Sequence, residues 1–383
     1  MYIFLLFALA SYSFAAPLIK AGQQATAIPG KWIVKLKGDV TTSAMTSLKA
    51  MISTEPDHEY SMAGFRGFAG TLSEKELARL GASHQVEYIQ QDATVHAYYR
   101  VEQENATWGL ARISSEEPGS TSYFYDDTAG EGTCSYIIDT GIYVEHPDFG
   151  GRAEWLGDFS GEDLLVDEQG HGTHVAGIVG SATYGVAKKT KLYAVKVLDS
   201  YGSGTNAGVL AGINFVVKDA KTRDCPKGFS ANLSLGGYKS TVLNQAVAAA
   251  VRSGIFFAVA AGNEGMDAKY SSPASEPSAC TVGATHRNDT FVSWSNFGPL
   301  VDVLSPGANI TSTWNDGSIE TLSGTSMSAP FVAGMAACMM GFNYTDVSSI
   351  CDMIGKMAAI GVVKGVPKNT KNLLLQNGHL EVY

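Results

Sequence analysis

Apolar and polar positions change their period along this chain, and the change divides it into two stretches. Between Gly30 and about His96, Trp32-Ile33-Val34-Lys35-Leu36 alternates as a strand does. Residues 42–52 carry Met45, Leu48 and Met51 at helical spacing. Residues 65–72 read as a strand set among Gly64, Gly67 and Gly70. Ser73 and Glu76 form a capping box, which predicts a helix ending near Gly81. Residues 86–89 return as a strand, and 58–62 fit one more. This order predicts a small ferredoxin-like α+β unit with its helices on one face.

After Arg100 the pattern differs. Residues 102–107 are polar and read as an exposed junction. From Gly132 onward, near-continuous apolar runs at 134–138, 192–198, 232–235 and 255–260 read as strands. Between and after them, 174–180, 205–221, 241–253 and 324–340 have helical patterns, and Gly254 closes the third. Apolar strands alternating with helices predict an α/β domain of three layers, a parallel sheet between helices.

Composition agrees with a folded chain. Apolar residues make up 45% and charged residues 17%, enough apolar material for a core and too little charge for a disordered chain. A formal net charge of −10 with no Lys/Arg run leaves no footprint for nucleic acid. Residues 1–15 read as a signal peptide, with small Ser13 and Ala15 at the cleavage site, although no Lys or Arg precedes the apolar run. The other reading is a signal anchor over 1–19, which is barely long enough to span a bilayer. The five cysteines, Cys134, Cys225, Cys280, Cys338 and Cys351, form no metal-binding spacing. In an oxidising compartment an odd count implies two disulfides and one thiol. Glycosylation sequons fall at Asn105, Asn232, Asn288, Asn309 and Asn343, of which Asn232 lies in an apolar strand and reads as unmodified.

Candidate chemistry sits at the ends of these elements. Ile137-Ile138-Asp139 ends a strand in a carboxylate, His171-Gly172-Thr173-His174 opens a helix, and Gly324-Thr325-Ser326 opens another. Ala258-Val259-Ala260-Ala261-Gly262-Asn263 ends a strand in an amide. Serine needs a base to become a nucleophile, imidazole is that base near neutral pH, and a carboxylate orients the ring. A helix N-terminus at Ser326 and the Asn263 amide both suit a developing oxyanion. Alone, each residue has a plainer reading: a turn-forming Asp, a core or metal His, an N-cap Ser, a Gly-Asn turn. Together, each at an element end, they point to acyl transfer.

The strings IIDTGI, GHGTHVAG, VAAGNEG and GTSMSAP resemble the signature blocks of the subtilisin-like serine proteases, in the same Asp, His, Ser order. Trp108-Gly109-Leu110-Ala111-Arg112-Ile113-Ser114 resembles the start of the proteinase K branch, and Pro29-Gly30-Lys31-Trp32-Ile33-Val34 resembles its inhibitory propeptide. The resemblance implies a secreted serine endopeptidase: signal peptide 1–15, propeptide 16–100, peptidase domain 101–383. Vacuolar or cell-surface placement is the alternative location. Asp139, His171 and Ser326 become the triad and Asn263 the oxyanion donor. Ser203-Gly204 and Ser234-Leu235-Gly236 become the segments flanking an extended substrate. Leu235, Gly236 and Ala260–Gly262 become the walls of an uncharged pocket for apolar or aromatic residues before the scissile bond. The implied disulfides are Cys134–Cys225 and Cys280–Cys351, with Cys338 left as a buried thiol. Val175 stands where the branch has its usual free cysteine, which implies a weaker response to mercurials. The implied metal is a structural calcium on the Pro277 and Ala279 carbonyls and Asp302, with no cofactor for catalysis. Expected partners are protein and peptide substrates and the chain's own propeptide, as inhibitor and folding aid, around a monomer. A non-catalytic binding protein on the same scaffold is the alternative, but no triad residue is missing. An α/β-hydrolase esterase is excluded, because Gly324-Thr325-Ser326-Met327-Ser328 lacks the second glycine and the order is wrong.

Overall fold

Trp32, Val34 and Leu36 are buried along β1 (Ala27–Leu36), and they seed the core of the first unit. In the computed structural model, residues 16–20, 27–38, 40–94, 100–344 and 346–378 are described. The expected signal peptide and the Tyr98-Tyr99 end of the expected propeptide lie outside them. The chain divides into two compact units, Met1–Ala97 and Tyr98–Tyr383. In the first, β1 is followed by α1 (Thr42–Lys49), β2 (His58–Met62), β3 (Phe65–Thr71), α2 (Glu74–Gly81) and β4 (Val86–Ala93). The strands lie in the order β4-β1-β3-β2, all antiparallel, the arrangement expected of a ferredoxin-like unit. Leu18–Ile19 adds a short parallel strand beside β4. Leu48 of α1 and Leu80 of α2 enter the same core as Trp32, Val34 and Leu36. The capping box forms: the Ser73 hydroxyl accepts the Glu76 N–H, and Glu76 Oε2 accepts the Ser73 N–H at 2.7 Å. Helix α1 ends before residue 52, because Met51 and Ile52 turn back to carbonyls three residues earlier, tightening the last turn.

In the second unit, the strip expected as an exposed junction begins in a strand. Arg100–Gln103 pairs antiparallel with Tyr123–Asp126, and the Arg100 guanidinium stands 3.8 Å above the Phe124 ring. A partner strand 20 residues away leaves no local polar/apolar signature, so the pattern missed it. The central elements are β5 (Thr133–Asp139), β6 (Ala153–Asp158), α3 (His171–Gly180), β7 (Lys191–Lys196), α4 (Asn206–Asp219), β8 (Gly228–Leu233), α5 (Thr241–Arg252), β9 (Ile255–Ala260), β10 (Cys280–Thr285), β11 (Val303–Pro306), α6 (Thr325–Gly341) and α7 (Ile350–Met357). The sheet runs β11-β10-β9-β8-β5-β7-β6, all parallel, and Leu373–Leu374 extends it beside β11.

Alternation along β5 shows the layers. Ile137 packs with Val175 and Ile178 of α3 and Phe331 and Val332 of α6. Tyr136 and Ile138 point the other way, to Ile213 and Val216 of α4 and Val247 of α5. Both faces are therefore covered, and helix α6, apolar all round, is buried along nearly its whole length. The strand expected over 232–235 instead runs Gly228–Leu233. Ser234 and Leu235 leave the ladder because the Ser234 hydroxyl and carbonyl bond to Ser326 instead. Helix α3 starts three residues earlier than its apolar run, since His171 itself begins the first turn. Two disulfides are present, Cys134–Cys225 and Cys280–Cys351, and Cys338 is a thiol. Burial raises the Cys338 pKa to about 12, so the thiol stays protonated and unreactive. Asn232 is fully buried, so that sequon is closed to modification.

Candidate active site

Strand order places the candidate segments side by side. β7, β5, β8 and β9 are consecutive neighbours with parallel direction. Their carboxyl ends deliver the Ser203-Gly204 loop, Asp139, Ser234-Leu235-Gly236 and Gly262-Asn263 to one edge of the sheet. From β5 the chain runs to β6 and β7 on one side and then crosses to β8 on the other. The order reverses at β5, and a crevice opens at such a point.

Asp139 is fully buried at the end of β5. Its Oδ1 lies 2.7 Å from His171 Nδ1 and also accepts the Thr140 N–H at 2.7 Å. An ionised carboxylate only accepts, so Nδ1 carries the proton and Nε2 is left as the basic nitrogen. Asp139 Oδ2 is buried without a hydrogen-bond partner among the described residues, which leaves its charge undiluted beside the ring. Burial of His171 opposes its cation, but the Asp139 charge and hydrogen bond, with Asp167 adding, raise its pKa above the ordinary imidazole value. The close packing here needs glycine: a Cβ on Gly172 would stand 2.1 Å from the Gly141 carbonyl oxygen.

Sequence reasoning passed over Asp167. This buried carboxylate accepts from the Gly170 and Thr173 N–H groups and from the Thr140 and Thr173 hydroxyls. It thereby ties the first turn of α3 to the turn after Asp139. Lys196 was also passed over, although a lysine inside the apolar run Leu-Tyr-Ala-Val-Lys-Val-Leu was a visible signal. Its buried ammonium donates to the Thr140 and Leu198 carbonyls and lies 3.0 Å from Glu162 Oε2. The Glu162 carboxylate also takes the Ser200 N–H and hydroxyl, which hold its pKa down to about 2, with Lys196 adding. The exit of β5 and the Ser203-Gly204 loop are thus joined through one buried cation.

Ser326 is the second residue of α6, where backbone N–H groups have no intrahelical acceptor. Its hydroxyl donates to the Ser234 carbonyl at 3.1 Å, and the Ser234 hydroxyl donates to the Ser326 carbonyl at 2.6 Å. No hydrogen bond joins Ser326 to His171 in this rotamer, among the described residues. Asn263 is anchored by its carbonyl end: Oδ1 accepts the Thr325 N–H at 2.8 Å and the Thr325 hydroxyl at 2.9 Å. The amide NH₂ is therefore the free end. A Cβ on Gly324 would lie 3.5 Å from Ser326 N and 3.6 Å from Asn263 Nδ2, so both donors converge on one small space. Thr325 was legible as part of the Gly-Thr-Ser string, but its grip on Asn263 was not.

Beside Ser326 opens a cavity of about 300 Å³. Leu235, Gly236, Ala260 and Gly262 line it, as expected, and Ser203-Gly204 does not. One expectation is corrected: the pocket is not free of charge, because Glu264 also lines it. The Asn296 amide holds Glu264 Oε2 at 2.7 Å. Gly262 makes room for that pair, with φ +107° and a hypothetical Cβ only 2.2 Å from Asn296 Nδ2. Glu264 directly follows Asn263, but nothing in its neighbours revealed that it turns into the pocket.

At the expected calcium position the Asp302 carboxylate is engaged by groups of the chain itself. Asp302 Oδ1 is bound by the Lys371 ammonium at 2.8 Å, and Oδ2 accepts the Thr281 N–H at 3.0 Å.

Comparison with known proteins gives consistent matches. A model of the subtilase family of peptidases matches residues 130–372, and a peptidase inhibitor I9 model matches residues 30–98. The chain is 56% identical over 292 residues to proteinase T of Parengyodontium album, covering 76% of this chain and 99% of that protein. It is 48% identical over 365 residues to a cuticle-degrading protease of Metarhizium anisopliae, covering 95% and 93%. A crystal structure of a cold adapted subtilisin-like serine proteinase superposes with a TM-score of 0.68 at 40% identity, over 72% of this chain and 99% of that one.

Proposed function

The chain belongs to the subtilase family and is a subtilisin-like serine endopeptidase, and from that premise we propose which residues carry the reaction and how. His171 Nε2 takes the Ser326 proton as the hydroxyl attacks the scissile carbonyl. The carbonyl oxygen, now negative, is held by the Asn263 NH₂ and the Ser326 N–H. Asp139 keeps Nδ1 protonated and stabilises the imidazolium. His171 then protonates the leaving amine, which departs and leaves an acyl-enzyme on Ser326. Water, deprotonated by His171, hydrolyses that ester. The observation that carries this reading is the double hold of Asn263 on Thr325, which fixes an amide donor beside the serine. Rotation of the Ser326 hydroxyl away from Ser234 precedes attack, since apo geometry is often loose.

The substrate is an extended peptide lying between Ser203-Gly204 and Ser234-Leu235-Gly236, added to them as a strand. The residue before the scissile bond enters the cavity lined by Leu235 and Ala260. Specificity is broad and favours apolar or aromatic residues there. Glu264 lets an arginine in as well, which suits cleavage after Arg100.

The precursor carries a signal peptide over 1–15, a propeptide over 16–100 and the enzyme over 101–383. The match of residues 30–98 to an inhibitor model supports the propeptide as the enzyme's own inhibitor and folding aid. The enzyme is secreted and acts as a monomer.

The test is the Ser326→Ala precursor beside the wild type. The variant should persist at full length, escape labelling by a fluorophosphonate and lose about 10⁶-fold in peptide cleavage. Cleavage by Ser326→Ala near the wild-type rate would remove the nucleophile assignment.

A further inference from the structure

We propose that Lys371 is the resident cation at Asp302, and that its ammonium excludes calcium from the position where the resemblance expects one. This inference does not depend on the catalytic assignments. The Asp302 carboxylate has two oxygens, and both are engaged, Oδ1 by Lys371 Nζ at 2.8 Å and Oδ2 by the Thr281 N–H at 3.0 Å. The Asp302 N–H in turn donates to the Thr281 carbonyl at 2.9 Å, so this carboxylate is fixed against β10 from both ends.

Lys371 does not reach Asp302 by chance. It lies just before Leu373–Leu374, and Leu374 pairs with Leu304 of β11, two residues after Asp302. The register of the sheet edge therefore delivers the ammonium to the carboxylate. The ion pair is partly shielded, with Asp302 25% and Lys371 49% exposed.

Calcium needs six to eight oxygen ligands and works best with several charges. Here there is one carboxylate. Beyond the expected Pro277 and Ala279 carbonyls, the other His, Cys, Asp or Glu side-chain atoms clustered with it within 4.8 Å are the Cys280 and Cys351 sulfurs, which are joined in a disulfide. No further Asp, Glu or His joins that cluster among the described residues. One aspartate and one lysine sum to zero charge, and a divalent ion would have to displace the lysine first.

The experiment uses the full-length Ser326→Ala chain, which avoids self-digestion, and reads binding and unfolding and not activity. Calcium chloride is titrated calorimetrically after chelation, and Tm is compared in calcium and in EGTA. The parent should show no heat that Asp302→Asn removes, and no calcium-dependent Tm that Asp302→Asn removes. Lys371→Met should gain about one calcium equivalent and a Tm that rises roughly 5 °C or more in saturating calcium. Asp302→Asn in that background should abolish both gains. Lys371→Arg, which keeps the charge, should stay blind to calcium. The proposal fails if the parent binds calcium through Asp302, if Lys371→Met binds no more than the parent, or if Lys371→Arg binds as Lys371→Met does. Circular dichroism of each variant shows that it is folded before binding is read.

Discussion

Asn263 grips Thr325 twice, accepting its backbone N–H at 2.8 Å and its hydroxyl at 2.9 Å through one oxygen. The residue before Ser326 thus sets the rotamer of the proposed oxyanion donor. Asn263→Ala should lower kcat about 10²–10³-fold with little change in KM, the loss typical of one missing oxyanion donor. Thr325→Val keeps the backbone hold but removes both hydroxyl bonds, to Asn263 Oδ1 at 2.9 Å and from the Gly262 N–H at 3.1 Å, and should cost about tenfold or more. Steady-state kinetics on a chromogenic peptide separate the two. A KM effect without a kcat effect would place Asn263 in ground-state binding.

His171 has its pKa raised by Asp139 against the effect of burial. Catalysis needs the neutral ring, so kcat/KM should climb with pH through a value above the ordinary imidazole pKa of about 6.5. Stability moves oppositely. The charged His171–Asp139 pair stabilises the fold fully below the unfolded pKa, and that contribution fades as pH rises through the folded pKa. Asp139→Asn should lower kcat about 10⁴-fold and move the rising limb to lower pH. A pH–rate profile on both forms decides it.

His174, one turn into the same helix, behaves in the contrary way. Burial lowers its pKa to about 4, and its Nε2 is shared between the Ile310 and Glu320 carbonyls. The unfolded chain takes up a proton near pH 6.5 while the folded one does not, so stability falls as pH drops from there toward 4. The loss approaches about 3 kcal/mol. His174→Gln should flatten this part of the curve, as measured by denaturant unfolding of the inhibited enzyme. An unchanged slope would assign the acid sensitivity to another group.

Glu264 is exposed in the pocket wall, so its effect on a basic side chain is screened. Glu264→Gln should lower kcat/KM for Arg or Lys before the scissile bond about two- to fivefold. Cleavage after Phe should stay within error. Equal losses on both would mean that the carboxylate shapes the pocket and does not read charge.

Much of this site was legible because its residues occupy element ends. Asp139, His171, Asn263 and Ser326 each stand where an apolar run stops or starts, and periodicity marks those points well. The ferredoxin-like unit was legible for a similar reason, since Ser73 and Glu76 announce a helix in four residues. The rest depends on pairings remote in sequence. Lys371 meets Asp302 only through sheet register, Arg100–Gln103 is a strand only because Tyr123–Asp126 lies beside it, and Ser234 leaves its strand only because Ser326 bonds it. None of these leaves a trace in the residues nearby. Glu264 was read past because the pocket was inferred from its apolar neighbours alone.

The groups proposed to react come from stretches scattered between Asp139 and Ser326, and they meet only along one completed sheet edge. A chain caught partway through folding, with β9 or α6 not yet seated, is therefore no weakened protease. It lacks a donor or a nucleophile altogether. On the proposed assignments a competent site exists only in the finished architecture, and the proposed inhibitory propeptide must still leave that site before the enzyme acts.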